Sequence, residues 1–345
     1  MLRFGLFLLL AALTLTLGWK ALPGRTPAIR SGPDPIAVME PVQIGGMNQW
    51  LLIRGQDRSA PVLLWLHGGP GAAQMPLAHA TTRALEDDFV VVHWDQRGAG
   101  KSNTGDFNAA TLTMEQFLQD AHAVTRHLQT RLGADRIIVL GHSWGTMLGA
   151  RLVARWPDDY TAYIGVGQQV NTARGIAVTL ERLAPLIRAG GQTAHLRWLD
   201  GATPDGLMAH AAYVDMMEML DDFGGGMNVP VWRLALMLAR APEYSLGDLR
   251  RWLDGARRGS GPMWPDYRSR DLMAEVPMMP VPTLLISGAQ DLNTPAEVSA
   301  EWFERVSAPE GSAHLVFDLS GHAPFLSEPE RFTTVIRTFA HSHGW

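Results

Sequence analysis

Short, wholly apolar runs recur along the chain and alternate with longer stretches of helical periodicity. The runs are 61–66 (PVLLWL), 89–94 (FVVVHW), 136–140 (RIIVL), 160–166, 283–287 (TLLIS) and 314–319 (HLVFDL). Short apolar runs bounded by turn residues read as strands buried on both faces, the pattern of a covered parallel sheet. Residues 42–54, with Gly45-Gly46 inside them, read as an opening strand or hairpin. Met114, Phe117, Leu118, Ala121, Val124, Leu128 and Leu132 share one face at a spacing of 3.6 residues, which predicts a helix. A second helix is expected after Ser143 and a last one over about 328–340. Alternating strands and helices predict an α/β fold, a doubly wound and mostly parallel sheet.

The alternation stops between Asn171 and Glu275. That stretch has helical patterns, no convincing strand, many methionines, and Trp198, Trp232, Trp252 and Trp264. It reads as a helical cap, residues 171–275, inserted over the carboxyl edge of a core made from 42–170 and 276–345. Its methionines and tryptophans either line an adaptable apolar pocket or fill the cap's own core.

Residues 4–19 (FGLFLLLAALTLTLGW) carry no charge and lie between Arg3 and Lys20. A helix of that length spans about 24 Å, slightly short of a ~30 Å hydrocarbon core. Residues 1–20 are therefore expected to be a signal anchor or a signal peptide. Without a small-x-small site near Gly18, an uncleaved anchor is favoured. The protein would then be held at a membrane by one segment, or secreted or periplasmic if the segment is cleaved. Residues 21–41 contain Pro23, Pro27, Pro33, Pro35 and Pro41 and read as a stiff linker.

Composition narrows the function. The 345 residues are 46% hydrophobic and 18% charged, as in globular domains. A net charge of −5 leaves no basic excess for a phosphate backbone, so nucleic-acid partners are disfavoured. The absence of cysteine excludes disulfides, thiolate zinc sites and a cysteine nucleophile.

Gly141-His142-Ser143-Trp144-Gly145 directly follows RIIVL and opens a helix. This is G-x-S-x-G in a strand–turn–helix context, which makes Ser143 the candidate nucleophile. A serine hydroxyl needs a base, and the base needs an orienting carboxylate. His322 sits in a loop after the last strand, and Asp291 in a loop after TLLIS, both at the sheet edge that carries Ser143. Asp318 is the nearest competitor of Asp291. His67-Gly68-Gly69-Pro70-Gly71 follows PVLLWL, and a glycine-rich turn there lets amides approach a substrate. The amides of Gly69 and Trp144 are the candidate oxyanion donors. His67 reads as structural, and 95–102 (DQRGAGKS) as a turn bracing the oxyanion loop.

These residues resemble the α/β-hydrolase superfamily from about Val42 to the end. HGGPG at 67–71, DQRGAGKS at 95–102 and GHSWG at 141–145 are similar to the proline iminopeptidase branch of serine aminopeptidases, although that branch often has glycine where His142 stands. The resemblance implies acyl transfer by Ser143, Asp291 and His322 on a small peptide, without metal or organic cofactor. It also implies cap acids that bind the substrate's α-ammonium. In the cap, Asp215, Glu218 and Asp222 share a helix face, with Asp221 beside them. They are candidate ammonium ligands, or simply a solvated face. Arg250, Arg251, Arg257 and Arg258 read as solvated surface. An ester or other acyl substrate is the alternative, and a non-catalytic binding protein a remote one.

Overall fold

A computed structural model describes residues 20–105, 108–190 and 192–345. The apolar segment 4–19 lies outside the described residues. Among those described, no helix is long and apolar enough to cross a membrane.

Eight strands form one sheet: β1 (Ile36–Ile44), β2 (Met47–Gly55), β3 (Val62–Leu66), β4 (Val90–Asp95), β5 (Ile137–His142), β6 (Tyr160–Val166), β7 (Thr283–Gly288) and β8 (Ala313–Phe317). Their order is β1-β2-β4-β3-β5-β6-β7-β8. β1 and β2 form an antiparallel hairpin, and β2 also runs antiparallel to β4. The pairings from β4 through β8 are parallel. Every residue of β3, β4, β5 and β7 is buried, as expected of strands covered on both faces. Two apolar clusters fill the two sides. One holds Leu64, Val92, Val139 and Leu148, and the other Trp65, Ile138, Ile286 and Phe332.

The expected helix over the Met114 face runs Met114–Leu132. The Thr113 hydroxyl caps its start by accepting from the Gln116 amide at 3.2 Å, and Gly133, at φ 69°, ends it. The elbow helix is Trp144–Arg155 and the last is Pro329–Ser342.

The linker expected over 21–41 needs correction. β1 begins at Ile36, so the strand absorbs the end of that stretch. Pro41 is tolerated there because β1 is the sheet's edge. The preceding residues are tied down rather than strung out. The Arg25 amide donates to the Pro242 carbonyl at 2.9 Å, and Arg54 Nη1 donates to the Pro27 carbonyl at 2.6 Å.

The insertion is helical: Thr172–Gly190, Thr193–Gly201, His210–Met219, Val231–Arg240, Leu246–Arg258 and Ser260–Tyr267. It enters and leaves the core at one point, where Asn171 bridges Asp271 and the Leu272 amide donates to the Val170 carbonyl at 2.9 Å. Met216 and Met219 pack in the cap's own core with Ile176, Leu183 and Leu220. Met263 and Trp264 join the main core, while Trp232 is 68% exposed. Arg250, Arg251, Arg257 and Arg258 are all exposed.

Candidate active site

The turn between β5 and the elbow helix exists because of two glycines. A Cβ on Gly141 would lie 2.4 Å from the Gly145 carbonyl oxygen, and one on Gly145 2.1 Å from that of Leu66. Only bare backbone lets the strand and helix approach so closely. Ser143 pays for the turn with φ 54° and ψ −121°, a conformation that L-residues with a side chain rarely adopt. The Ser143 amide donates to the Val166 carbonyl at 2.9 Å, which fixes the turn against β6. Trp144 is the first residue of the helix, so its N–H has no carbonyl within the helix to bond.

The loops after β7 and β8 meet. His322 Nδ1 donates to Asp291 Oδ2 at 2.9 Å. Asp291 is fully buried, and three more donors orient its carboxylate. Oδ1 accepts from the amides of Asn293 (2.8 Å) and Thr294 (2.9 Å), and Oδ2 from the Thr294 hydroxyl at 2.7 Å. With Nδ1 donating, the other ring nitrogen of His322 carries a lone pair, as a base requires. Asp318 lies elsewhere, 82% exposed and 3.7 Å from Arg331.

The oxyanion loop packs against the elbow. A Cβ on Gly68 would lie 3.1 Å from Ser143 Cβ, and Gly69 follows at φ 113°. His67 Nδ1 donates to the Gly68 carbonyl at 2.8 Å, and its Nε2 accepts from the Gln96 amide at 3.2 Å. Burial pushes His67 down to about 4, so the ring is neutral and structural. Gln96 completes the brace. Its Nε2 donates to the His67 carbonyl at 3.1 Å, and its Oε1 accepts from the Trp144 indole at 3.1 Å. Gln96 thus ties the start of the glycine-rich loop to the Trp144 side chain.

Several supporting residues escape a reading of the sequence. His142 Nε2 donates to the His322 carbonyl at 2.9 Å, with the two rings 4.9 Å apart. Burial, with His322 beside it, pushes His142 down to about 3 and keeps it neutral. A Cβ on Gly167, which has φ 58°, would sit 3.0 Å from Thr294 Oγ1 and 3.1 Å from the His322 ring. The cap also reaches in. The Gly226 carbonyl accepts from the His322 amide at 2.8 Å, and the Gly225 carbonyl from the Leu292 amide at 2.9 Å. In the sequence, Gly224-Gly225-Gly226 reads as a helix terminator, and in the fold its carbonyls clasp the acid and base loops.

The four acids of the cap cluster, Asp215, Glu218, Asp221 and Asp222, are all exposed. The helix His210–Met219 buries Met216 and Met219 and leaves Asp215 and Glu218 exposed. Asp222 is exposed and lies 3.4 Å from His195. Asp221 Oδ1 accepts from the Met227 amide at 2.9 Å. The solvated-face reading describes Asp215 and Glu218. A crevice beside the acid loop, lined by Gln169, Thr172, Tyr213, Met216 and Asn293, is too tight to hold a water molecule. A cavity of about 280 Å³ lies beyond Pro70 and Gly71, and neither Ser143, Asp291 nor His322 lines it. Among the described residues no three His, Asp or Glu side chains converge as a metal ion would require.

The model of the alpha/beta hydrolase family matches residues 63–335. The chain belongs to this family. It is 30% identical over 313 residues to the probable aminopeptidase YbaC of Bacillus subtilis, covering 89% of this chain and 98% of that one. It is 23% identical to a proline iminopeptidase of Lactobacillus helveticus, over 86% of this chain and 96% of the other. The proline iminopeptidase structure from Mycobacterium smegmatis superposes with a TM-score of 0.65 at 24% identity, over 89% and 98% of the two chains. At that identity the superposition shows the shared α/β-hydrolase fold.

Proposed function

We propose that this α/β hydrolase is a serine enzyme working by acyl transfer, and within that class an aminopeptidase that releases an N-terminal proline or small residue from peptides. The observation carrying the reading is the buried Asp291 carboxylate, held by four donors, one of them His322 Nδ1 at 2.9 Å. His322 takes the proton of Ser143 as the hydroxyl attacks the carbonyl. The amides of Gly69 and Trp144 hold the oxyanion. His322 then protonates the leaving amine and activates the water that releases the acyl-enzyme. No cofactor enters these steps. The aminopeptidase part is supported by the relatives named proline iminopeptidase and probable aminopeptidase.

A carboxylesterase is the second reading, favoured by the exposure of Asp215 and Glu218. The discriminating experiment compares kcat/KM for a proline arylamide and its N-acetyl form, with Ser143→Ala as control. Strong preference for the free amine is expected. Equal rates, or rapid ester cleavage alone, would move the assignment to an esterase. Absence of fluorophosphonate labelling in the natural chain would leave only a binding protein.

Residues 4–19 are proposed to anchor the enzyme to a membrane, on the strength of their uncharged sequence between Arg3 and Lys20. Recovery of the enzyme in a soluble, N-terminally trimmed form would refute anchoring.

A further inference from the structure

The cap helix Val231–Arg240 turns an apolar face outward. At 100° per residue, Val231, Ala235, Ala239, Trp232 and Leu236 occupy one arc of about 140°. All five are exposed, Val231 at 80% and Trp232 at 68%. The opposite side, with Leu234, Met237 and Leu238, packs partly inward, and Arg233 and Arg240 border the arc on its Leu236 side. An amphipathic helix normally buries its apolar face, and this one shows it to solvent.

The helix also lies where the N-terminal segment joins the folded domain. The Lys20 ammonium donates to the carbonyl of Ala241, the residue that ends the helix, and to that of Tyr244 at 2.8 Å. The Arg25 amide donates to the neighbouring Pro242 carbonyl. Residues 4–19 therefore end one position before a lysine fixed at the foot of the exposed arc. Leu22, 60% exposed, adjoins it.

We infer that the outward face of this helix rests on the surface of a lipid bilayer, with Val231, Trp232 and Leu236 in the interface. The inference rests on the anchor reading of residues 4–19. If those residues enter a bilayer, Lys20 marks the point of entry, and the arc beside it meets the headgroups. Tryptophan suits that region, with an apolar ring and a polar N–H. Charge selects the bilayer over the other available cover, residues 1–19 folded back. Arg233 and Arg240 lie together along the Leu236 side of the arc, Arg25 sits by the foot of the helix, and none has an ion pair among the described residues. Anionic lipid supplies counter-charge, whereas residues 1–19 contain Arg3 and no acid.

The chain's lack of cysteine makes the test clean. Full-length Leu236→Cys, and separately Trp232→Cys, is labelled with a polarity-sensitive dye. Each is reconstituted with vesicles of phosphatidylcholine and phosphatidylglycerol. Glu310→Cys, exposed just before β8 at the sheet edge away from the cap, is the control. Retained fluorophosphonate labelling shows that each variant is folded. The expected result is flotation with the vesicles, with the emission at 236 and 232 shifted to the blue. Nitroxide lipids should quench these two sites several-fold and leave 310 unchanged. Flotation with a water-like label at 236 and 232 overturns the docking face and leaves the anchor standing. A blue-shifted label before lipid is added, insensitive to nitroxide lipid, shows that protein covers the face and also overturns the inference. Failure to float overturns the anchor and the docking face together.

Discussion

Replacing Asp95 by asparagine should remove a pH dependence from the stability of the fold. Asp95 ends β4, wholly buried. Its Oδ2 accepts from the Lys101 amide at 2.7 Å and from the Tyr244 hydroxyl, while Oδ1 has no partner among the described residues. The nearby Lys101 ammonium is engaged by Asp248 at 2.8 Å and by the Glu243 carbonyl at 3.1 Å. Burial outweighs the bonds to Oδ2 and pushes the Asp95 carboxyl from 3.8 up to about 7. A carboxyl whose folded value is raised leaves stability intact below the unfolded value and erodes it as pH climbs to the folded one. The full span is 7 − 3.8 = 3.2, worth about 4 kcal/mol at 1.36 kcal/mol for each unit. From pH 5 to pH 7 the loss is about 2 kcal/mol, and it levels off by about pH 8 with a total from pH 5 of about 3 kcal/mol. In Asp95→Asn the amide oxygen can take over both bonds of Oδ2. Its NH2 replaces an oxygen already without a partner, so the variant carries an offset that does not change with pH. Urea denaturation of both proteins at pH 5, 6, 7 and 8, followed by far-ultraviolet circular dichroism, isolates the difference. The variant should gain on the natural protein by about 3 kcal/mol between pH 5 and 8. Parallel stability curves, agreeing within about 0.5 kcal/mol, would refute the argument that burial dominates at Asp95.

Three further substitutions probe the elbow, the acid and the junction with the cap. Asp291→Asn should lower kcat by about 10³–10⁴ with little change in KM, because an amide cannot accept from His322 and the two loop amides together; a loss below about tenfold in steady-state ester hydrolysis would remove Asp291 from the orienting role. Gly145→Ala sets a methyl 2.1 Å from the Leu66 carbonyl oxygen, so a loss above about 3 kcal/mol or insoluble expression is expected. An unchanged urea midpoint would contradict it. Lys101→Met removes one of the two cations that hold the buried Asp248 carboxylate, leaving Arg251 and the Ser245 hydroxyl, and should cost about 1.5–3 kcal/mol. Adding Asp248→Asn should restore part of that loss, and a double-mutant cycle with no coupling would show that the pair does not fasten the cap.

What was legible in the sequence was whatever local pattern governs. Apolar runs located β3 through β8, and strand–turn–helix context located Ser143. Position just after β7 and β8 was enough to foresee that Asp291 and His322 meet, because parallel strands deliver their following loops to one edge of the sheet. What depends on distant chain segments was not legible. Pro41 argued locally for a linker, yet an edge strand tolerates a missing N–H, and the partner strand Met47–Gly55 carried the pairing. Asp215, Glu218 and Asp222 read as one helical stripe in the sequence, but the helix ends at Met219 before Asp222, and a stripe does not say which side faces the core. Met216 and Met219 decide that, by packing against Ile176 and Leu183. His142 and Gly226 were opaque for the same reason. One bonds the carbonyl of His322 and the other its amide, at 2.9 and 2.8 Å, from segments far apart in the chain. Their convergence gives the cap a second role. The cap does not merely cover the edge of the sheet, because its glycine turn completes the hydrogen bonding of the loop that carries the proposed base. A change in the cap can therefore alter the chemical step as well as substrate choice, and kcat and KM should be measured separately for every cap variant.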